Sequence, residues 1–261
     1  MGFPAAKRRR DAGHLGGLLS VALVAAACGD LLACDKEPAA TSAEAAPPPA
    51  TTAPPAPPEP PRAPDILVDA SHVAVGNNQV VAGEPGLADK VAVFLNGRPL
   101  IEGQTVGFVA MRNAKPSYVA AVVAALARAK ATAASVNTEA RDGTTEKLPL
   151  TFAKAVRDCT TVAWIARDAA IDVWPAGGGT AKRIVRGLAG PDITLGTEAA
   201  RKQSTGCNAS ELVTGADDGL TWGLVFDLAT SILGAPGARA STAMLVTGAV
   251  AGRKLVRESP E

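Results

Sequence analysis

From residue 65 onward, short apolar runs alternate with stretches of helical period. Ile66 to Val68 and Val73 to Val81 run apolar or alternate, with Gly76-Asn77-Asn78 as a turn signal, so they predict short strands. Leu87, Val91, Phe94 and Leu95 fall at helical spacing before Asn96-Gly97. Val106 to Met111 predicts a buried strand. Pro116 and Ser117 then open a helix over Tyr118 to Ala131, whose larger apolar side chains at 118, 119, 122, 123 and 126 share one face. Ala133 to Asn137 and Leu148 to Phe152 predict two further strands.

The pattern then starts again. Thr160 to Ala166 and Ala169 to Trp174 predict strands, the second stopped by Pro175 and Gly177-Gly178-Gly179. Ala181 to Leu188 suits a short helix, and residues 189–208 are irregular apart from a helical turn at Glu198 to Lys202. Glu211 to Thr214 predicts a strand, Leu220 to Leu233 a helix, and Thr242 to Thr247 a last strand. Landmarks recur in the same order. Asp69-x3-Val73-x-Val75 echoes Asp168-x2-Ile171-x-Val173, and Asn113-x4-Tyr118 echoes Asp217-x4-Trp222. Each long helix leads to a strand ending in threonine, Thr138 or Thr247. Such an echo predicts an internal duplication.

The N-terminal stretch has a different texture. Lys7-Arg8-Arg9-Arg10 precedes an apolar run from Leu15 to Ala27 that ends in small residues before Cys28. A basic cluster, a short apolar core and small residues make an export signal. Cysteine after small residues, at Cys28 or at Cys34, resembles the bacterial lipobox, which marks the cysteine for acylation. An uncleaved anchor over residues 15–34 is the alternative. It must hold Asp30 in the bilayer, at a cost of about 2.5–3.5 kcal/mol on insertion scales, so cleavage is favoured. The tract from Pro38 to Pro64 holds eleven of the twenty prolines and almost no large aliphatic side chain. It predicts an extended, disordered linker of roughly 80 Å at about 3.1 Å per residue. The chain thus divides into a signal at 1–34, a linker at 35–64, and modules at 65–155 and 156–261.

Composition removes whole classes of function. Residues 1–27 contain four basic side chains and one acid, so the rest carries 22 Lys/Arg against 24 Asp/Glu. A near-neutral body with 3% aromatic residues offers neither charge nor stacking platforms for nucleic acid. Cys159 and Cys207 are the only cysteines beyond the N-terminal stretch, a candidate disulfide in an oxidising compartment. No metal or cofactor set emerges: His72 is the only histidine past residue 14. Gly177-Gly178-Gly179-Thr180-Ala181-Lys182 lacks the order of a phosphate loop and reads as a turn. Asp217-Asp218 reads as a helix N-cap pair in preference to a general acid/base pair. Arg112, Lys115 and Tyr118 read as a solvated strand end, with anionic cell-wall polymer as the competing ligand. No catalytic residue is assigned.

Two segments carry a family resemblance. Phe108-Val109-Ala110-Met111-Arg112-Asn113-Ala114-Lys115-Pro116-Ser117-Tyr118-Val119, followed by Leu126 to Lys130 and Ala133 to Thr138, is one. Glu211-Leu212-Val213-Thr214-Gly215-Ala216-Asp217 with Thr221-Trp222-Gly223-Leu224-Val225 is the other. Both resemble the periplasmic domain of the ExbD/TolR family of proton-driven energy transducers, with Asn113 standing where that family usually has an acid. The resemblance implies an α+β fold of two small sheet-plus-helix modules, with Asn113, Tyr118, Asp217 and Trp222 as motif positions. It implies a non-enzymatic protein of the bacterial envelope, on the periplasmic side, that binds envelope proteins or cell-wall polymer and can form a dimer. The lipid or anchor at the N-terminus would supply the membrane contact. Two alternatives stand beside it: a membrane-anchored subunit of a proton-driven transport complex, and an exported hydrolase or small-ligand receptor. The family's essential membrane aspartate is not transferred to Asp30, which lies at the outer end of the apolar run.

Overall fold

A computed structural model describes residues 65–152 and 155–255. The signal and linker expectations, with Cys28 and Cys34, lie outside the described residues. In chain order the elements are β1 (Ile66–Val68), β2 (His72–Val75), β3 (Asn78–Val81), α1 (Leu87–Leu95), β4 (Thr105–Ala110), α2 (Pro116–Arg128), β5 (Ala133–Glu139) and β6 (Thr145–Thr151). They continue with β7 (Thr161–Ile165), β8 (Ile171–Pro175), β9 (Lys182–Ile184), α3 (Ile193–Gln203), β10 (Glu211–Ala216), α4 (Trp222–Leu233) and β11 (Thr242–Leu245). The protein is mixed α/β.

Its strands make one eleven-stranded mixed sheet in the order β3-β2-β1-β4-β5-β6-β11-β10-β7-β8-β9. The sheet runs on across the expected boundary between residues 155 and 156, because β6 pairs in parallel with β11 through Leu150 and Ala243. Within it the pairings recur. β1, β2 and β3 form an antiparallel meander, β4 lies parallel to β1, and β5 parallel to β4. β7, β8 and β9 repeat the meander, β10 lies parallel to β7, and β11 parallel to β10. The registers align Leu67 with Trp164 and Val109 with Gly215. Met111 N–H donates to Val68 O as Asp217 N–H donates to Ile165 O, so the counterpart of Asp217 is Met111 and not Asn113 as the echo had it.

Side-chain alternation divides the sheet into two faces. Ala163, Ile165, Leu212 and Ala243 join the main core, which also takes the buried sides of all four helices. Val162, Trp164, Val213 and Met244 point the other way, into a smaller cluster that Val246, Ala249 and Leu255 cover. α2 shows why the helices form where they do. Tyr118, Val119, Val122, Val123 and Leu126 are buried along one side, and Pro116 sits in the first turn, where its missing N–H costs nothing. The helix stops three residues short of Ala131, because Lys130 adopts a left-handed φ of 61°.

Two expectations fail in the second half. The helix over Ala181 to Leu188 is replaced by edge strand β9. Val185 and Leu188 are exposed, so no apolar face exists to hold a helix, whereas β9 pairs with β8. The stretch expected to be irregular contains α3, of which the turn at Glu198 to Lys202 is the second half; α3 is capped by Asp192 Oδ1 accepting from Leu195 N–H at 3.0 Å. α3 packs through Gly196, Ala199 and Ala200, too small to register as an apolar stripe. A Cβ on Gly196 would come within 2.6 Å of Ile171 Cδ1.

Candidate functional site at the ends of β4 and β5

Parallel strands leave a crevice beyond their carboxyl ends, where loops diverge. Here β4 and β5 end side by side, and a cleft of about 420 Å³ opens there. Val109, Met111, Arg112, Asn113, Asn137 and Glu139 line it. Its apolar part is partly exposed: Val109 and Met111 keep 42% and 46% of their surface. Its polar part is anchored from the second half of the chain.

That anchoring begins at α4. The first N–H groups of a helix lack intrahelical partners. Thr221 gives no side-chain cap, and the need is met by the loop after β4: Trp222 N–H donates to Ala114 O at 2.7 Å and Gly223 N–H to Arg112 O at 2.9 Å. Arg112 answers with its side chain. Nη1 and Nη2 donate to Asp227 Oδ1 and Oδ2 at 2.9 and 2.7 Å, a bidentate pair, and Nη1 also donates to Glu139 O at 2.9 Å. Arg141 Nε adds a bond to Asp227 Oδ2 at 2.6 Å. Hydrogen bonding to Asp227 raises the Arg112 pKa, so its charge is permanent. Gly223 makes the approach feasible, since a Cβ there would lie 3.0 Å from Arg112 Nε.

The motif residues separate into different roles. Trp222 is fully buried, and its Nε1 donates to Thr138 Oγ1 at 2.8 Å, while Thr138 Oγ1 donates to Ala110 O at 3.0 Å. Thus the aromatic of the second echo docks on the threonine of the first. Tyr118 is buried beneath Lys115, whose Nζ lies 5.5 Å from the ring centroid. Asn113 lines the cleft. Asp217 does not cap α4, and neither does Asp218. Asp217 Oδ2 instead accepts from Arg167 N–H at 2.5 Å, tying the β7–β8 turn to the end of β10. The helix starts at Trp222, too far along for either carboxylate to serve its first turn.

The remaining candidates do not converge. Cys159 and Cys207 are joined as a disulfide, with Cα atoms 5.6 Å apart, away from the cleft. His72, on β2, shares a hydrogen bond with Ser71 Oγ at 2.8 Å. Five strands separate β2 from β10 in the sheet, or about 29 Å at roughly 4.8 Å per step. His72, Asp217 and Asp218 therefore share no pocket. Among the described residues, no group of three or more His, Cys, Asp or Glu is placed to hold a metal ion. The Gly177-Gly178-Gly179 turn lies against the C-terminal segment, with Gly179 N–H donating to Gly252 O at 2.8 Å.

Sequence reasoning missed Asp227 and Arg141 altogether. The available signal was Asp227 itself, a lone carboxylate inside the apolar stretch Leu220 to Leu233, since buried acids occur with partners. Compared with protein-family models, curated proteins and solved structures, the chain matches none.

Proposed function

We propose that this chain is a non-enzymatic, envelope-tethered binding protein built from two ExbD/TolR-like modules, with the cleft at the ends of β4 and β5 as its docking site for an envelope partner. One observation supports the reading: the meander and parallel pairings of β1–β5 recur in β7–β11, yet among the described residues only the second copy has its outer face covered. Residues 246–255 lie over Trp164 and Trp174, with Trp174 Nε1 donating to Arg253 O at 3.0 Å. On the first copy the matching row, Ala74, Leu67, Val109, Asn137 and Lys147, leaves Leu67 and Val109 exposed beside the cleft. A protein partner that lays an extended segment there would repeat what the C-terminal segment does on the second copy.

The test is a photo-crosslinking amino acid at Met111 in the full chain, expressed in native envelopes, with Val93 on α1 as the exposed control. A discrete adduct at Met111 and none at Val93 is expected. Equal labelling at both positions overturns the docking site. Intact mass of the membrane-extracted protein tests the tether: an acylated N-terminus at Cys28 or Cys34 supports it, and an unprocessed Met1 supports the membrane-anchored transport subunit instead.

A further inference from the structure

The opposite edge of the sheet carries a feature that the docking role does not use. Beyond β9 the chain closes a tight finger: Gly187 N–H donates to Gly190 O at 2.8 Å, which places Leu188 and Ala189 at its tip. Leu188 is fully exposed, and Val185 on the approach keeps 73% of its surface. Residues 181–191 contain Lys182, Arg183 and Arg186 and no acid. Arg183 is committed to Asp168 and Asp172. Among the described residues, Lys182 and Arg186 have no ion-pair partner. The nearby acids are engaged, Asp192 by the α3 N-terminus and Glu198 by Lys202. Leu195, in the first turn of α3, is half exposed.

A leucine held in water at the end of a closed turn gains nothing from the fold. Together with cations left free on its stem, it has the composition of an interfacial anchor, in which apolar residues enter the acyl boundary and cations meet anionic headgroups. We propose that the finger at residues 185–190 inserts into an anionic lipid surface, with Leu188 and Val185 as the inserted side chains and Lys182 and Arg186 as the headgroup contacts. The proposal is independent of the cleft and of its partner.

The experiment uses the full chain with Leu188→Trp on phosphatidylcholine vesicles with and without 30% phosphatidylglycerol, the acyl chains brominated near the headgroup. The native tryptophans are buried, so quenching reports the introduced indole. Val93→Trp, on the other half of the chain, serves as the control for adsorption through the N-terminal segment. Quenching of Leu188→Trp on the anionic vesicles, well above the control, is expected. Adding Lys182→Gln and Arg186→Gln should weaken the finger's insertion about 30-fold, at roughly 1 kcal/mol per cation. Absence of quenching, quenching equal to the Val93→Trp control, or no response to loss of the two cations overturns the proposal. A finger that serves a protein partner would give the first of these.

Discussion

Asp227 is the residue on which the two halves of the chain are most directly expected to depend. Asp227→Asn keeps the volume and removes the charge. Two guanidinium groups, from Arg112 and Arg141, then face each other without the anion that both now contact. Removing one partner of a buried pair costs about 3–5 kcal/mol, and an exposed pair contributes only about 0.2–1 kcal/mol. The Asp227 side chain is 11% exposed and that of Arg112 30%, so the pair lies between these limits. A loss of about 2–3 kcal/mol follows for Asp227→Asn. Arg141, 64% exposed, should contribute no more than about 0.5 kcal/mol. At roughly 2–4 °C per kcal/mol for a domain of this size, the expected fall in Tm is about 4–12 °C. Urea titration followed by tryptophan fluorescence is the assay, because Trp222 sits beside the network. High salt should restore little, since the pair is shielded from the solvent ions that screen surface charges. The reasoning is refuted if Asp227→Asn stays within about 0.5 kcal/mol of the parent, or if Arg141→Gln costs as much as Arg112→Gln.

Other expectations concern the second half. Gly215→Ala should cost about 1–3 kcal/mol by overpacking, because its Cβ would meet Val246 O at 2.4 Å and Trp164 Cζ3 at 2.5 Å; an unchanged urea midpoint would contradict the close sheet-face packing. Reducing Cys159–Cys207, 48 residues apart, should remove about 4 kcal/mol by loop-closure entropy, read as the difference between unfolding with and without dithiothreitol. Burial raises the Asp172 pKa against the opposing pull of Arg183, so its contribution to stability grows as pH falls toward the ordinary carboxylate range and is lost as pH rises through the raised value. Asp69 behaves oppositely: hydrogen bonding from Ser71 N–H lowers its pKa, and its contribution, present above the ordinary value, is lost as pH falls through the lowered one. Urea midpoints of Asp172→Asn and Asp69→Asn between pH 7 and pH 3 should therefore change relative to the parent in opposite directions.

Much of the architecture was legible where side chains were large and periodic. α2 and α4 announced themselves through Val122, Leu126, Val225 and Phe226, and the first-half strands through alternation. α3 was legible only as the turn at Glu198 to Lys202, because its packing side is Gly196, Ala199 and Ala200, and closeness of approach replaces apolar bulk there. β9 misled because Ile184, Val185 and Leu188 match helical spacing, while only Ile184 of these finds a core. The echo placed Asn113, Thr138 and Trp222 in order. It did not reveal that Trp222 bonds to Thr138, since contacts between copies leave no trace in spacing along either copy. Of the Asp227 network, the lone carboxylate in an apolar stretch was visible, but its partners Arg112 and Arg141 were hidden for the same reason.

The place of β11 has a consequence for how the chain is made. Among the described residues, 242–245 are the last strand in sequence but sit inside the sheet, between β6 and β10. Until they arrive, a chain emerging N-terminus first presents two unpaired edges, one on each side of the missing strand. β6 carries Pro149, which has no N–H to offer a neighbouring strand, whereas β10, reading Glu-Leu-Val-Thr-Gly-Ala, contains no proline. The interval between synthesis of residue 216 and residue 245 is thus when a nascent chain is most open to pairing with another of its kind, and a truncation before residue 242 would make that exposure permanent.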